Sequence, residues 1–204
     1  MIVTDIIEVT KAKSRVYLDE EAAFVLYKGE LRLYHICKGE ELSQASLAEI
    51  TEVLLPKRAK KRCLILLQKK DYTEEELKRK LRKGEYPEEV IEEAVSYVKS
   101  YHYIDDDRYC MSYISCYASK WSKQQIMKKL LAKGVSKNRI QKAFDELQSK
   151  GELETEETLI REILRKKHYD IENADDSARR KMYQHLAYKG FSHDIILHVL
   201  SSFT

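Results

Sequence analysis

An internal repeat of apolar residues constrains the fold of this chain more than any other feature of its sequence. The pattern recurs after 49 residues and again after a further 56 residues. The first copy comprises Leu77, Leu81, Tyr86, Pro87, Ile91, Ala94 and Val95. The second comprises Ile126, Leu130, Val135, Ser136, Ile140, Ala143 and Phe144, and the third Met182, Leu186, Phe191, Ser192, Ile196, Val199 and Leu200. Such recurrence is typical of arrays in which neighbouring units bury each other's apolar faces.

Each copy of the repeat predicts two helices separated by a stop. Gly134 and Gly190 stand at the stop in the second and third copies, and a left-handed residue ends many helices. Glu85 takes the same place in the first copy, one residue after Gly84. A proline or a serine then opens the second helix of each copy. A further helix is predicted before each pair, over roughly 57–69, 106–119 and 155–167.

The predicted fold class is mainly α-helical, with three tandem three-helix repeats that form a right-curved helical array behind a small β-rich N-terminal extension. β-branched and alternating apolar residues near the N-terminus predict three or four short strands, with a hairpin turn at Lys28-Gly29. Ser43 then predicts the N-cap of a helix that ends at Pro56. The predicted divisions are 1–56 for the extension, with its strands and one helix, and 57–104, 105–153 and 154–204 for the three repeats.

The composition argues against a β-sandwich, a secreted protein and a membrane protein. The chain has only 2 Pro and 6 Gly, too few for the turns of a β-sandwich of 204 residues. No apolar run approaches the roughly 18 residues of a membrane span, and charged residues interrupt the N-terminus where a signal peptide would be apolar. Cys110 and Cys116 are about 9 Å apart along a predicted helix, too far for a disulfide. We therefore expect reduced thiols in the cytoplasm. We also expect a monomer.

The sequence predicts neither a catalytic site nor a metal site. Glycine-rich phosphate loops and the HExxH zinc motif are absent, and the 6 histidines lie in separate predicted elements. We therefore expect no enzymatic activity, no cofactor, no metal and no small-molecule substrate. The run Asp105-Asp106-Asp107 admits two interpretations. Acids favour the N-terminus of a helix, whereas a metal site would need a further carboxylate at suitable spacing.

Five segments of the chain carry a family resemblance. The first repeat contributes Tyr72–Leu81 and Pro87–Ile91, and the acidic link Tyr103–Tyr109 follows. Ser122–Ser136 in the second repeat and Lys189–Ser192 in the third complete the set. Together, in this order, they resemble the RecX family, the bacterial regulators of the RecA recombinase.

The resemblance covers residues 57–202, and the β-rich extension resembles that of the longer Gram-positive-type members. It implies a non-catalytic protein that binds RecA and RecA–single-stranded-DNA filaments and mostly inhibits the ATPase, recombinase and coprotease activities of RecA. Family members lodge along the filament groove and some bind DNA, so single- or double-stranded DNA is a second expected partner. Glu85, in place of glycine, and the long loop at 169–176 depart from the family pattern.

Clustered basic residues are the candidate contacts with RecA or DNA. The predicted binding residues are Lys78, Arg79, Arg82, Lys83, Arg108, Lys128, Lys129, Lys133, Arg161, Arg165, Arg179 and Arg180. A purely structural interpretation explains part of the pattern, because acids favour the first turn of a helix and bases favour the last. If successive repeats place their basic helix ends along one edge, they also form a cationic stripe that attracts a polyanion.

Aromatic residues and rival functions leave further alternatives open. Tyr109, Tyr113 and Tyr117 are spaced four apart, which favours packing between repeats, with base stacking as the second interpretation. Trp121 precedes a predicted N-cap and favours a hydrophobic staple. The alternative functions are a stand-alone helical DNA-binding protein and a protein–protein scaffold without nucleic-acid contact. The acidic and apolar character of the last helix of each repeat argues against sequence-specific base contacts.

Overall fold

A three-stranded antiparallel sheet opens the chain. The computed structural model describes residues 1–171 and 173–201. The strands are β1 (Val3–Thr10), β2 (Lys13–Leu18) and β3 (Glu21–Tyr27), in the order β1-β2-β3. Val16 pairs with Phe24 across β2 and β3, and both side chains are buried on one face of the sheet. The prediction of short strands in this region is confirmed.

The predicted hairpin turn at 28–29 is wrong, because this segment forms helix α1 (Lys28–Leu33). The Glu30 carboxylate accepts a hydrogen bond at 2.7 Å from the backbone amide that precedes the helix. Leu31 and Tyr34 both pack against the core, and their spacing of three suits a helix rather than a strand.

The helix that begins after Ser43 does not end at Pro56, as predicted. It runs as α2 (Gln44–Ala48), a π-helical segment (Glu49–Leu54) and α3 (Leu55–Leu67). Ser43 is the predicted N-cap and accepts a hydrogen bond from the Ser46 amide at 3.1 Å. At the end of the π-helical segment, the Leu55 amide bonds to the Ile50 carbonyl, five residues back. Because the bonding pattern changes register here, the missing amide of Pro56 falls at a transition instead of interrupting a regular α-helix.

The sheet and the first three-helix repeat share one hydrophobic core. Helix α3 packs against α5 (Glu88–Ser100), and α4 (Glu74–Arg82) contacts both. The shared core includes Val16, Leu18 and Leu26 from the sheet and Leu77, Leu81 and Ile91 from the helices. The residues from Met1 to Asp105 form one compact unit, in which side chains from both sides of position 56 are buried together.

Two arginines join the sheet to the first repeat. Arg58 of α3 donates hydrogen bonds to the Val25 carbonyl at 2.6 Å and to Glu30 at 2.7 Å. Arg15 of β2 donates from two guanidinium nitrogens to Glu85. Glu85 has a φ of +59°, so it keeps the left-handed helix stop that glycine supplies in the other repeats. The departure from glycine at this position therefore adds an ion pair between the sheet and the repeat.

A second compact unit extends from Asp106 to Thr204. Its helices are α6 (Asp106–Tyr117), α7 (Lys123–Ala132), α8 (Lys137–Ser149), α9 (Glu156–Lys166), α10 (Asp176–Tyr188) and α11 (His193–Ser201). One cluster of buried residues lies among α6, α7 and α8, and another lies among α9, α10 and α11. Each set of three helices therefore has its own core.

The predicted repeat is confirmed by burial at its equivalent positions. Ile91, Ile140 and Ile196 are fully buried in the three repeats. The other equivalent buried residues are Leu81, Leu130 and Leu186, and Leu77, Ile126 and Met182. Gly134 and Gly190 have φ values of +89° and +88°, the left-handed conformation predicted for the helix stops.

Candidate polyanion-binding surface

Lys78 and Arg82, two of the predicted basic residues of the first repeat, are paired with acids. Lys78 lies 3.1 Å from Glu74 and 2.6 Å from Glu92, and its side chain is only 15% exposed. Arg82 lies 2.7 Å from Glu88, and its hydrogen bond lowers the pKa of that carboxyl. These ion pairs neutralise the cations locally, so this surface offers little net charge to a polyanion.

The structural interpretation also accounts for the other two predicted residues of this repeat. Arg79 lies 3.3 Å from Glu75, four residues earlier on α4. Lys83 is exposed at the C-cap of the same helix. Helix α4 has three acids in its first turn and bases in its last, the distribution that the helix dipole favours.

The second repeat has a different balance of charge. Residues 108–144 contain nine lysines and arginines and no aspartate or glutamate. We call this stretch the basic segment, and its cations are Arg108, Lys120, Lys123, Lys128, Lys129, Lys133, Lys137, Arg139 and Lys142. The sequence prediction named four of them. The absence of acids across the segment is the signal that would have found the others.

The helix dipole favours Lys129 in the last turn of α7, but it does not account for the cations at the starts of α7 and α8. Lys123 is the first residue of α7, and Lys137 and Arg139 lie in the first turn of α8, where the positive end of the dipole disfavours cations. Asp107 compensates Arg139 at 3.1 Å, and the Glu156 carboxylate accepts from the Lys123 amide at 3.0 Å. Lys137 has no carboxylate within 4 Å in the part of the chain that the structure describes.

Two predicted lysines, Lys129 in α7 and Lys133 at its C-cap, lie over aromatic rings. Lys129 Nζ is 4.9 Å from the centre of the Trp121 ring, and Lys133 Nζ is 5.5 Å from the centre of Tyr109. The rings of Tyr109 and Tyr113 stack at 6.1 Å along α6 and are partly buried against the core of the second repeat. The lysines therefore cover an aromatic surface, and Lys128 beside them is exposed.

Trp121 lies where the second and third repeats meet. The Ser122 amide donates to the Lys189 carbonyl at 3.1 Å, and Ser122 Oγ donates to the Gly190 carbonyl at 2.7 Å. The Trp121 ring lies 6.0 Å from the ring of Tyr188, at the end of α10. Trp121 packs partly against the core of its own repeat, as a staple would, but it also contacts the third repeat.

Lys189 is a further cation at the junction of the second and third repeats, and the sequence prediction missed it. Its Nζ lies 5.4 Å from the centre of the Trp121 ring and donates to the Lys120 carbonyl at 2.8 Å. Burial, followed by the charges of Lys167 and Lys120, lowers the pKa of Lys189. Like charges are crowded here, and a bound anion would relieve their repulsion. No local motif marks the arrangement, because Lys120 and Lys189 are 69 residues apart.

The remaining predicted contacts are exposed on three different helices. Arg108 lies in the first turn of α6, Arg161 and Arg165 lie on α9, and Arg179 and Arg180 lie on α10. Their use as one binding surface stays a prediction.

The acidic link between the first two repeats lies at a helix start. Asp106 and Asp107 occupy the first turn of α6, where the dipole favours acids. Among residues 1–171 and 173–201, no three His, Cys, Asp or Glu side chains are placed to hold a metal ion. In the same ranges, every helix is too short or too polar to cross a bilayer.

Family models match two parts of the chain, and relatives match most of it. Residues 59–97 match the first three-helix domain of RecX, and residues 154–200 match the third. The regulatory protein RecX of Clostridioides difficile strain 630 is 30% identical over 190 residues, which cover 91% of this chain and 87% of that protein. The regulatory protein RecX of Caldanaerobacter subterraneus subsp. tengcongensis is 32% identical over 169 residues, covering 82% and 84%.

Crystal structures show the same fold. A structure of regulatory protein RecX aligns with a TM-score of 0.59 at 24% identity and covers 97% of this chain and 98% of that one. The structure of RecX from Lactobacillus salivarius aligns with a TM-score of 0.56 at 24% identity, covering 72% and 96%. With relatives of 30% identity or more aligned along most of its length, the chain belongs to the RecX family of regulatory proteins.

Proposed function

We propose that this protein binds RecA and RecA–single-stranded-DNA filaments and mostly inhibits the ATPase, recombinase and coprotease activities of RecA. Its relatives carry the name of a regulatory protein, and the sequence resemblance points to RecA as the regulated partner. The observation that carries the proposal is the basic segment, with its nine cations and no acid in residues 108–144. A filament that contains DNA is a polyanion, and such a surface attracts it.

The contact is proposed for α7 in particular. Lys129 and Lys133 are four residues apart and share one side of the helix, with Lys128 next to them. Lys128 and Lys129 have no carboxylate within 4 Å among the described residues. Each cation that neutralises a phosphate releases counterions, so these lysines contribute directly to affinity. In the first repeat, Lys78 and Arg82 would first have to leave their acidic partners, so we expect a smaller contribution from them.

Inhibition follows from where such a contact would hold the protein. A helical body fixed along the filament groove by its cations would hinder the movement of RecA subunits during ATP hydrolysis and block the entry of a second DNA strand. Neither effect requires a catalytic group on this chain.

The ATPase of RecA on single-stranded DNA tests the proposal. Wild-type protein should lower the rate as its concentration rises. The variant Lys128→Glu/Lys129→Glu/Lys133→Glu should need at least about tenfold more protein for the same inhibition, because it replaces attraction by repulsion. Unchanged inhibition by this variant would contradict the assignment of the surface. Absence of inhibition by the wild type would contradict the proposed function.

A matched control separates this surface from net charge. Lys11, Lys61 and Lys69 are exposed in the first compact unit. Reversal of all three to Glu changes the net charge by the same amount and should leave inhibition close to that of the wild type. Equal losses in both triple variants would mean that total charge, and not the basic segment, determines binding.

Salt dependence distinguishes DNA contact from a scaffold that touches only protein. Binding of the protein alone to single-stranded DNA should weaken as the salt concentration rises. In a plot of the logarithm of the binding constant against the logarithm of salt concentration, the slope should be shallower by about 2 in the α7 triple variant, because each lost phosphate contact removes about 0.7. A binding curve that does not respond to salt would favour the scaffold.

A further inference from the structure

Two aromatic side chains face each other at the junction of the second and third repeats. Tyr188 is 75% exposed, the highest value for a large apolar side chain in the ranges that the structure describes. Its ring centre lies 6.0 Å from that of Trp121, with 51° between the ring planes. Packing in a core does not explain a ring as exposed as Tyr188.

Hydrogen bonds between neighbouring residues hold the backbones of the pair close together. Ser122, directly after Trp121, bonds through its amide to the Lys189 carbonyl and through its hydroxyl to the Gly190 carbonyl. Ser122 is fully buried. The residues that carry the two rings are therefore tied together by neighbouring hydrogen bonds, which lowers the entropy cost of presenting both rings to a ligand.

Three lysines lie beside the pair of rings. Lys129 and Lys189 lie over the Trp121 ring at 4.9 Å and 5.4 Å, and Lys120 is joined to Lys189 through its carbonyl. Among the described residues, none of these three lysines has a carboxylate within 4 Å. The place thus combines an exposed ring with uncompensated cations.

We infer that Tyr188 and Trp121, with Lys120, Lys129 and Lys189, form a site for single-stranded nucleic acid, in which a base stacks on Tyr188 and neighbouring phosphates contact the lysines. An acidic peptide would satisfy the cations but would leave the Tyr188 ring without a partner. A duplex keeps its bases stacked inside, whereas a single strand offers both a ring face and a phosphate. The inference rests on the proposed function and assigns a base-stacking position within it.

The fluorescence of Trp121 gives a direct test, because the chain contains only 1 Trp. The protein alone is titrated with a thymidine oligonucleotide and with an abasic oligonucleotide of the same length. The thymidine strand should quench Trp121 emission and bind about tenfold more tightly, because only this strand has bases that can stack on Tyr188. Equal affinity for the two strands would overturn the inference, because only phosphates would then be recognised.

Variants of Tyr188 locate the effect. Tyr188→Leu should remove most of the preference for the thymidine strand, whereas Tyr188→Phe should keep it, because stacking needs the ring and not the hydroxyl. Tyr101→Leu is the matched control, since Tyr101 is 58% exposed in the first compact unit. A circular dichroism spectrum of each variant checks that the helices are retained. A preference that survives Tyr188→Leu would overturn the assignment.

The two proposals fail separately. A polyglutamate peptide that displaces the thymidine strand and binds Tyr188→Leu less tightly would identify an acidic peptide as the ligand and overturn the stacking inference. Inhibition of RecA ATPase by the wild type would remain in that case. Absence of that inhibition would instead remove the proposed function, whatever the result of the fluorescence titration.

Discussion

Gly190 is a single residue that both ends a helix and allows two repeats to approach. Its φ of +88° ends α10, and its carbonyl accepts the hydrogen bond from Ser122. A Cβ at this position would lie 2.7 Å from Ser122 Oγ and 2.9 Å from Gln125 Cβ. Gly151 also has a positive φ, of +70°, but a Cβ there would meet nothing within 4 Å. The two glycines therefore separate the cost of the backbone conformation from the cost of the close approach.

Alanine at the two positions should destabilise the protein to different extents. Gly151→Ala should lower the free energy of unfolding by about 1 kcal/mol, because it carries only the cost of a left-handed alanine. Gly190→Ala should lower it by about 2–4 kcal/mol, because crowding at the junction adds about 1–3 kcal/mol. Urea unfolding followed by circular dichroism measures both values. Similar losses in the two variants would contradict a tight junction between the second and third repeats.

In helix α8, the stability of the helix conflicts with the positive charge that binding to a polyanion needs. Lys137 occupies its first turn, where a cation opposes the helix dipole. Lys137→Glu should therefore raise the free energy of unfolding by about 0.3–1 kcal/mol. The same change should weaken binding to single-stranded DNA, because it places an acid in the basic segment. Urea unfolding and the fluorescence anisotropy of a labelled oligonucleotide measure the two effects.

A neutral variant provides the control for this prediction. Lys137→Gln removes the cation without adding an acid, so it should give about half of each effect. High salt should shrink the differences among the three proteins. A loss of stability in Lys137→Glu would show that Lys137 has a favourable partner, and the dipole argument would then fail.

The helices of the repeats could be predicted because their signals are local. Apolar spacing, N-caps and left-handed stops lie within one helix, and α6 and α9 begin at Asp106 and Glu156, within a residue of the predicted positions. The two wrong predictions concern elements that depend on distant contacts. In α1, Glu30 is held by Arg58, 28 residues away. Near Pro56, the π-helical segment changes the bonding register, and apolar spacing gives no sign of this.

The residues of the candidate site likewise divide into those that local sequence predicts and those that depend on distant contacts. Lys128, Lys129 and Lys133 could be found from sequence because they are close together on one helix. Tyr188 and Lys189 could not, because they meet Trp121 only through the junction between two repeats. Ion pairing also decides which cations remain available to a ligand. Such pairing depends on distant contacts, because the ion pair between Lys78 and Glu92 joins two different helices.

At the scale of the whole molecule, the two compact units differ in charge. The unit from Met1 to Asp105 has 19 basic and 20 acidic residues, whereas the unit from Asp106 to Thr204 has 18 basic and 14 acidic residues. The basic excess therefore lies in the unit that contains the basic segment. The nearly neutral unit holds the ion pairs of Arg15, Lys78 and Arg82. Attraction to a polyanion is consequently expected from the second unit.

The units should also differ in their response to acid. In the first, the hydrogen bond from Lys99, and then that from Lys78, lowers the pKa of Glu74. The stability that this gives is present above the unfolded-state pKa of about 4.5 and is lost as the pH falls through the lower folded-state value. In the second, burial, and then Lys167 and Lys189, lowers the pKa of His185.

Acid should therefore destabilise the second unit at a higher pH than the first. His185 Nε2 is buried without a hydrogen-bond partner among the described residues, so the folded state disfavours the added proton. The unfolded chain accepts that proton near pH 6.5, so stability is complete above this pH and falls below it, by at most about 1.4 kcal/mol per pH unit. Urea unfolding followed by Trp121 emission, which reports the second unit, should show this loss between pH 7 and pH 5.5.

Two histidine variants identify the group that titrates. His185→Gln should remove the loss, because the buried position then carries no group that titrates in this range. His198→Gln should keep it, because His198 is exposed at the surface and lies 3.8 Å from Glu157. If His185→Gln unfolds with the same pH dependence as the wild type, another group is responsible.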